Sequence, residues 1–63
     1  MSEQFDKLLS TPELCAFLGI TRDTLYEWRE VHTAPPALKL PNGHLRFPWS
    51  ELMVWLADQR RAA

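Results

Sequence analysis

The chain has 63 residues and therefore forms at most one small domain. Hydrophobic residues make up 46% of it, which excludes an intrinsically disordered chain. Its longest apolar run, Leu52 to Ala57, is far shorter than the roughly 20 residues that cross a bilayer, and the acidic residues near the N-terminus are atypical of a signal peptide. We therefore expect a cytoplasmic protein that has no membrane partner.

The charged residues are unevenly distributed, although the formal net charge is only −1. No Asp or Glu occurs between Val31 and Ser50, whereas this segment contains Lys39, Arg46 and two histidines. A chain that is near neutral in total but basic on one side can bind phosphate groups, with weaker long-range attraction than a strongly basic protein.

The N-terminal part contains the signals of a short first helix. Residues 1–9 are predicted to be a flexible tail that ends in the apolar anchor Leu8-Leu9. Ser10 and Glu13 have the spacing of a capping box, and Gly19 suits the end of a helix. This pattern predicts helix 1 at about residues 11–18.

A second helix follows after a short turn. Thr21 is a favourable N-cap and Asp23 suits the positive end of a helix, so helix 2 is expected to run to about Glu30. Two short helices that are joined by a glycine-containing turn are the outline of a helix-turn-helix. Beyond them, the pair Pro35-Pro36 excludes a helix interior.

Two short extended runs, at residues 38–40 and 45–47, flank a turn that contains Asn42-Gly43. An Asn-Gly pair is a strong hairpin signal because both residues accept a positive φ. Apolar and basic residues alternate in both runs. This alternation predicts a two-stranded wing with one apolar and one basic face, so that Lys39 and Arg46 point the same way.

Pro48 precedes a predicted third helix at roughly residues 49–60. The folded domain is therefore expected to span residues 10–60, and residues 61–63 to form a short C-terminal tail. The predicted fold class is mainly α with a small β-hairpin wing, a winged helix-turn-helix of three helices and two strands. The expected core consists of Phe17, Leu18, Leu25, Trp28, Leu45, Phe47, Leu52, Trp55 and Leu56.

The order of these elements resembles a known family. The segments LLSTPELCAFLGITRDTLYEWR and LKLPNGHLRFPWSELMVWL together resemble the MerR-like winged helix-turn-helix domain of excisionases and small phage or mobile-element regulators. The resemblance covers roughly residues 8–57. It depends on the combination of Leu18-Gly19-Ile20, Thr24-Leu25-Tyr26-x-Trp28, Gly43-x-Leu45-Arg46-Phe47 and Trp55-Leu56.

The resemblance implies that helix 2 enters the major groove of double-stranded DNA while the wing contacts the adjacent backbone or minor groove. It also implies a bacterial or phage-encoded protein, bound to the nucleoid when on DNA. Its role would be that of an excisionase-type recombination directionality factor, an architectural accessory to a site-specific integrase, or of a related transcription regulator. The implied partners are double-stranded DNA, an integrase and further copies of the protein, with no cofactor.

The candidate DNA-binding residues lie on helix 2 and on the wing, and their side chains can bond phosphates or base edges. They are Arg22, Asp23, Tyr26, Arg29, Lys39, His44 and Arg46. By helical spacing Arg22, Tyr26 and Arg29 share one stripe, and Asp23, Glu27 and Glu30 form an acidic stripe beside it. Outside a helix-turn-helix, the same pattern would indicate a solvated face with mutual ion pairs.

No pattern in the sequence predicts catalysis or a metal site. Cys15 is the single cysteine, and together with His32 and His44 it lacks the paired spacing of zinc ligands. Because no nucleophile–base pair or phosphate loop is present either, we expect no enzymatic activity. The alternative function is a protein-interaction adaptor with the same fold, which binds a partner through an apolar patch of helix 3. This patch would comprise Trp49, Met53 and Val54.

Overall fold

The computed structural model describes residues 7–62. They form β1 (Leu8–Leu9), α1 (Thr11–Leu18), α2 (Arg22–Glu30), β2 (Leu38–Lys39), β3 (Leu45–Pro48) and α3 (Trp49–Ala62). The predicted bounds of α1 and α2 are confirmed, and α3 continues two residues beyond its predicted end. Residues 1–6 of the predicted tail lie outside the described residues. Within the described part of the chain, no helix is long and apolar enough to cross a membrane.

Side-chain caps start the first two helices, and a glycine in the left-handed conformation ends the first. The Glu13 amide donates to Ser10 Oγ over 3.3 Å and the Ser10 amide donates to Glu13 Oε1 over 2.9 Å, which confirms the capping box. Gly19 ends α1 with a φ of 71°. The hydroxyl of Thr21 accepts the Thr24 amide over 3.1 Å at the start of α2. The turn between the helices is therefore short and closely defined.

β3 is the central strand of an antiparallel sheet with the order β1-β3-β2. Leu9 of β1 pairs with Phe47, and the Leu8-Leu9 anchor thus adds a third strand to the predicted two-stranded wing. The Trp49 amide donates to the Lys7 carbonyl over 2.8 Å, which extends the pairing to the start of α3. This pairing holds the start of α1 beside the base of the wing.

The loop of the wing differs from what the Asn42-Gly43 pair predicted, because only one of the two residues has a positive φ. The Gly43 amide donates to the Leu40 carbonyl and the Leu40 amide donates to the His44 carbonyl, each over 2.8 Å, so that residues 41–43 form a three-residue loop. Gly43 has a φ of 88°, whereas Asn42 does not have a positive φ. The reason is Pro41. A two-residue Asn-Gly loop needs an amide donor just before it, and proline has none.

The longer loop shifts the register of the wing and separates its two basic side chains. Leu38 lies opposite Arg46, and Lys39 lies opposite Leu45. Paired residues of antiparallel strands share a face and successive residues alternate, so Lys39 and Arg46 point to opposite faces. The prediction of one apolar and one basic face is therefore wrong. Leu38, which is 46% exposed, shares its face with Arg46.

The core lies between the three helices and one face of the sheet. Its fully buried side chains are Leu14, Leu25, Phe47 and Leu52, each from a different element. The predicted core residues that are buried or half-buried are Leu18, Leu25, Trp28, Leu45, Phe47, Leu52, Trp55 and Leu56. Phe17 was predicted wrongly, because it is 48% exposed. Its ring centre lies 5.1 Å from that of Trp49 in an edge-to-face contact, so Phe17 covers the start of α3 from outside.

The elements together give a mainly helical domain with three helices and a small antiparallel sheet. The helix-turn-helix of α1 and α2 is followed by the β2–β3 hairpin and then by α3. This is the architecture of a winged helix-turn-helix, and the predicted fold class is confirmed.

Candidate nucleic-acid interface

Burial fixes which face of α2 points inward. Leu25 is fully buried, and the Trp28 ring lies 6.0 Å from the ring of Trp55 on α3. Trp55 is itself held in place, because its Nε1 donates to the Thr33 carbonyl over 3.1 Å. These contacts confirm that the predicted core residues Leu25 and Trp28 face inward. The opposite face of α2 is left to solvent.

The exposed face of α2 carries the stripe of Arg22, Tyr26 and Arg29. All three side chains are exposed, and Tyr26 retains 49% of its accessible surface. Within residues 7–62, the one ion pair joins two residues of α3, Asp58 and Arg61, over 3.2 Å. The arginines of α2 are therefore not neutralised by direct ion pairs with the neighbouring acidic stripe, and their donors are open to a ligand.

The N-terminal half of this stripe borders a groove of about 360 Å³. The walls of the groove are the start of α1, the first turns of α2 and the wing. Its lining residues are Ser10, Thr11, Pro12, Arg22, Tyr26, His44, Leu45 and Arg46. The fold thus brings Arg22, Tyr26, His44 and Arg46 together, although His44 and Arg46 are far from α2 in sequence. We call this site the α2–wing groove.

Arg46 is half-buried, whereas the other basic residues of the α2–wing groove, Arg22 and His44, are exposed. Its Nη1 donates to the Leu45 carbonyl over 2.8 Å, which restrains the guanidinium against the wing. The pKa of Glu13 is lowered by the hydrogen bond from the Ser10 amide and by the side-chain hydrogen bond with Ser10. The positive charges of Lys7 and Arg46 lower it further. The Arg46 guanidinium therefore favours the charged form of Glu13 at the start of α1, and it also lines the groove.

The other three predicted residues do not line the α2–wing groove. Arg29 lines a separate hollow near the end of α2. Lys39 is exposed on the face of the wing opposite to Arg46. Asp23 is exposed in the first turn of α2. The predicted set is thus distributed over the α2–wing groove, the rest of α2 and the opposite face of the wing.

Sequence patterns did not point to the start of α1 as part of the site. The capping box at Ser10 shows where the helix begins but carries no information about what it faces. That neighbour is set by the pairing of β1 with β3, and a strand of two residues is too short to show a periodic pattern.

The apolar patch that was considered on helix 3 is also divided. Trp49 and Met53 are half-buried and pack against the core, whereas Val54 is 63% exposed. Val54 and Trp55 line a shallow groove of about 310 Å³ together with Pro36. Glu51 and Asp58 border the same groove, which we call the α3 groove.

Comparison with known protein families identifies the domain. The family model of the helix-turn-helix domain matches residues 8–60, a range that begins at β1 and ends in α3. No match was found among curated proteins or among solved structures. Since the matched range covers most of the chain, the chain belongs to the helix-turn-helix domain family, and this architecture indicates binding to DNA.

Proposed function

We propose that the protein reads a short site in double-stranded DNA, with the first turns of α2 in the major groove and the wing on the neighbouring backbone. The observation that carries this proposal is the α2–wing groove, where basic side chains from two distant parts of the chain meet. A protein that reads bases from a helix needs a second contact to fix its register on the duplex, and the wing supplies one beside the helix.

The residues of the site divide by role. Arg22 is close to the start of α2, the part of such helices that reaches base edges, and its guanidinium can donate two hydrogen bonds to guanine. Tyr26 and Arg29 lie further along the stripe and suit phosphate oxygens. His44 and Arg46 contact the backbone or enter the adjacent minor groove. Asp23 orients an arginine or accepts a hydrogen bond from cytosine.

The resemblance to excisionases suggests a more specific role. We place the protein among recombination directionality factors or related transcription regulators, where it arranges or bends DNA beside an integrase and has no chemistry of its own. The formal net charge of −1 supports action in groups, because one copy attracts DNA weakly. Neighbouring copies or an integrase on the same duplex would add affinity through linked binding.

Selection from a random duplex pool tests the proposal. We expect the pool to be enriched in one sequence. The logarithm of its binding constant should fall linearly with the logarithm of the salt concentration, with a slope that corresponds to about 3–5 neutralised phosphates. Footprinting on natural DNA should then show protection beside an integrase site for a directionality factor, or over a promoter for a regulator. Failure to bind any duplex at low salt would reject DNA binding.

A second candidate function is supported by the α3 groove. Pro36, Val54 and Trp55 line this groove, and so do the acidic residues Glu51 and Asp58. The Asp58 carboxylate already pairs with Arg61 over 3.2 Å. This combination suits a partner segment that presents an apolar side chain between lysines or arginines, and it does not suit DNA. An adaptor would use this groove, as integrases and other DNA-bound proteins offer basic segments.

The two candidates are separated by a variant in each groove. Under the DNA-binding proposal, Val54→Asn leaves duplex affinity unchanged and Arg22→Ala lowers it. Under the adaptor proposal, neither variant has a duplex affinity to lose. Val54→Asn, which removes the apolar side chain without adding charge, then weakens binding of a purified integrase in a pull-down assay, while Arg22→Ala retains it.

A further inference from the structure

The end of α2 contains an unusual backbone conformation. His32 has a φ of 61° and is, among the described residues, the one non-glycine residue with a positive φ. Its amide donates to the Arg29 carbonyl over 3.2 Å, and the Thr33 amide donates to the Trp28 carbonyl over 2.8 Å. These two bonds form the turn that commonly ends helices, in which the position of His32 favours glycine.

The two helices of the helix-turn-helix differ at this position. α1 ends with Gly19 at a φ of 71°, which glycine adopts without a steric penalty. α2 has a histidine in the same conformation, and a Cβ atom is unfavourable there. A residue that is unfavourable for the fold at such a position suggests a role for its side chain.

The surroundings of His32 indicate what that role is. His32 and Arg29 line a hollow of about 280 Å³ whose other lining residues are Ala34 and Pro35. Pro35 is buried and Ala34 half-buried, so this wall of the hollow is held by the core, whereas both basic side chains are exposed. Arg29 is also the last member of the α2 stripe, so the hollow continues the line that starts at the α2–wing groove.

We infer that His32 and Arg29 form a phosphate-binding site that extends the DNA interface beyond the C-terminal end of α2. Guanidinium and imidazole N–H groups are both donors to phosphate oxygens. The negative end of the α2 dipole would otherwise repel a phosphate, and the turn reduces this effect because the Trp28 and Arg29 carbonyls already accept hydrogen bonds. This inference rests on the proposed DNA binding.

The test replaces His32 by two residues that suit the turn better, of which glycine has no side-chain donor for a phosphate and asparagine has one. We expect His32→Gly to raise the melting temperature by about 4–8 °C, since the penalty of the Cβ atom is removed. The same variant should bind both the selected duplex and a scrambled duplex more weakly, each by on the order of tenfold, because a phosphate contact carries no sequence information. His32→Asn also tolerates this conformation but keeps an amide donor, so it should lose less affinity than His32→Gly.

Val31→Ala is the matched control for the His32 variants. Val31→Ala changes the exposed neighbouring side chain, which does not line the hollow, and should leave both affinities unchanged. The inference is overturned if His32→Gly and His32→Asn bind both duplexes as tightly as the parent protein. If the parent protein itself binds no duplex at low salt, DNA binding fails first and the inference fails with it.

Discussion

The two sides of strand β3 differ in what determines their pairing. On the β1 side, Leu9 pairs with Phe47, and both side chains are buried. On the β2 side, Leu38 is 46% exposed and Lys39 is exposed too, so little burial distinguishes one register from another. There the three-residue loop decides the register. One strand thus joins a part of the molecule that is fixed by packing to a part that is fixed by turn geometry.

The largest expected effect compares the free energy of unfolding after truncation of a buried residue of β3 and of an exposed residue of β2. Phe47→Ala should cost about 3–5 kcal/mol of the free energy of unfolding, which is close to the whole stability of a small domain. Leu38→Ala, in the neighbouring strand β2, should cost below about 1 kcal/mol. Urea unfolding followed by circular dichroism measures both. Equal losses would show that the wing is also fixed by burial.

Variants in the α2–wing groove should show the opposite behaviour, with affinity lost and stability kept. Arg22→Ala is expected to cost about 1–3 kcal/mol of binding to the selected duplex and to relax base choice at one position. Its free energy of unfolding should change by less than about 0.5 kcal/mol, because Arg22 is exposed. Fluorescence anisotropy measures the affinity. Arg60→Ala, in the exposed last turn of α3, is the matched control and should bind like the parent protein.

The register of the wing predicts unequal effects of its two basic residues. Arg46→Ala should lower the slope of the salt dependence by about one phosphate for every duplex. Lys39→Ala should change the slope by less than half as much, since Lys39 lies on the opposite face. Equal changes in the two slopes would mean that the two side chains reach the same DNA surface despite the register.

The role of the loop is tested at Pro41. Pro41→Thr restores the amide that a two-residue Asn-Gly turn requires, and threonine favours extended structure. We expect a second, shifted register, visible as additional amide resonances for Lys39 and Arg46 in NMR spectra. Stability should fall by about 0.4–1 kcal/mol through the greater freedom of the unfolded chain. A single unshifted set of resonances would show that other contacts hold the register.

The smallest effect concerns the capping box and pH. The pKa of Glu13 is lower in the folded protein than in the unfolded chain, chiefly through its hydrogen bonds with Ser10. The carboxylate therefore contributes stability above its unfolded pKa, and this contribution is lost as the pH falls through the lower folded pKa. Glu13→Gln should flatten the melting temperature between about pH 5 and pH 3 relative to the parent protein. If the melting temperatures of the two proteins fall in parallel over this pH range, the lowered pKa of Glu13 is contradicted.

The sequence predicted the elements whose signals are local. Ser10 and Gly19 mark the two ends of α1, and Thr21 marks the start of α2. Leu25 and Trp28 were predicted as core residues and face inward. Each of these depends on residues within one or two turns, so no knowledge of the fold was required.

The errors arose where one residue or a distant partner decides the outcome. Pro41 lengthened the loop and reversed the side of Lys39, although the alternation pattern around it fits both registers equally well. Phe17 shares a helical face with Leu14 but lies at its edge, where only the position of α3 determines burial. The start of α1 is a wall of the α2–wing groove because β1 pairs with β3. The two leucines of β1 do not reveal this pairing in the sequence.

We propose that the α2–wing groove binds double-stranded DNA. The most direct test is an NMR titration of the ¹⁵N-labelled protein with the selected duplex. We expect the largest amide shifts at residues that line the α2–wing groove, namely Thr11, Arg22, Tyr26, His44 and Arg46. Val54 and Asp58 in the α3 groove should remain unshifted. Shifts that are confined to the α3 groove, or the absence of any shift with duplex in excess at low salt, would contradict it.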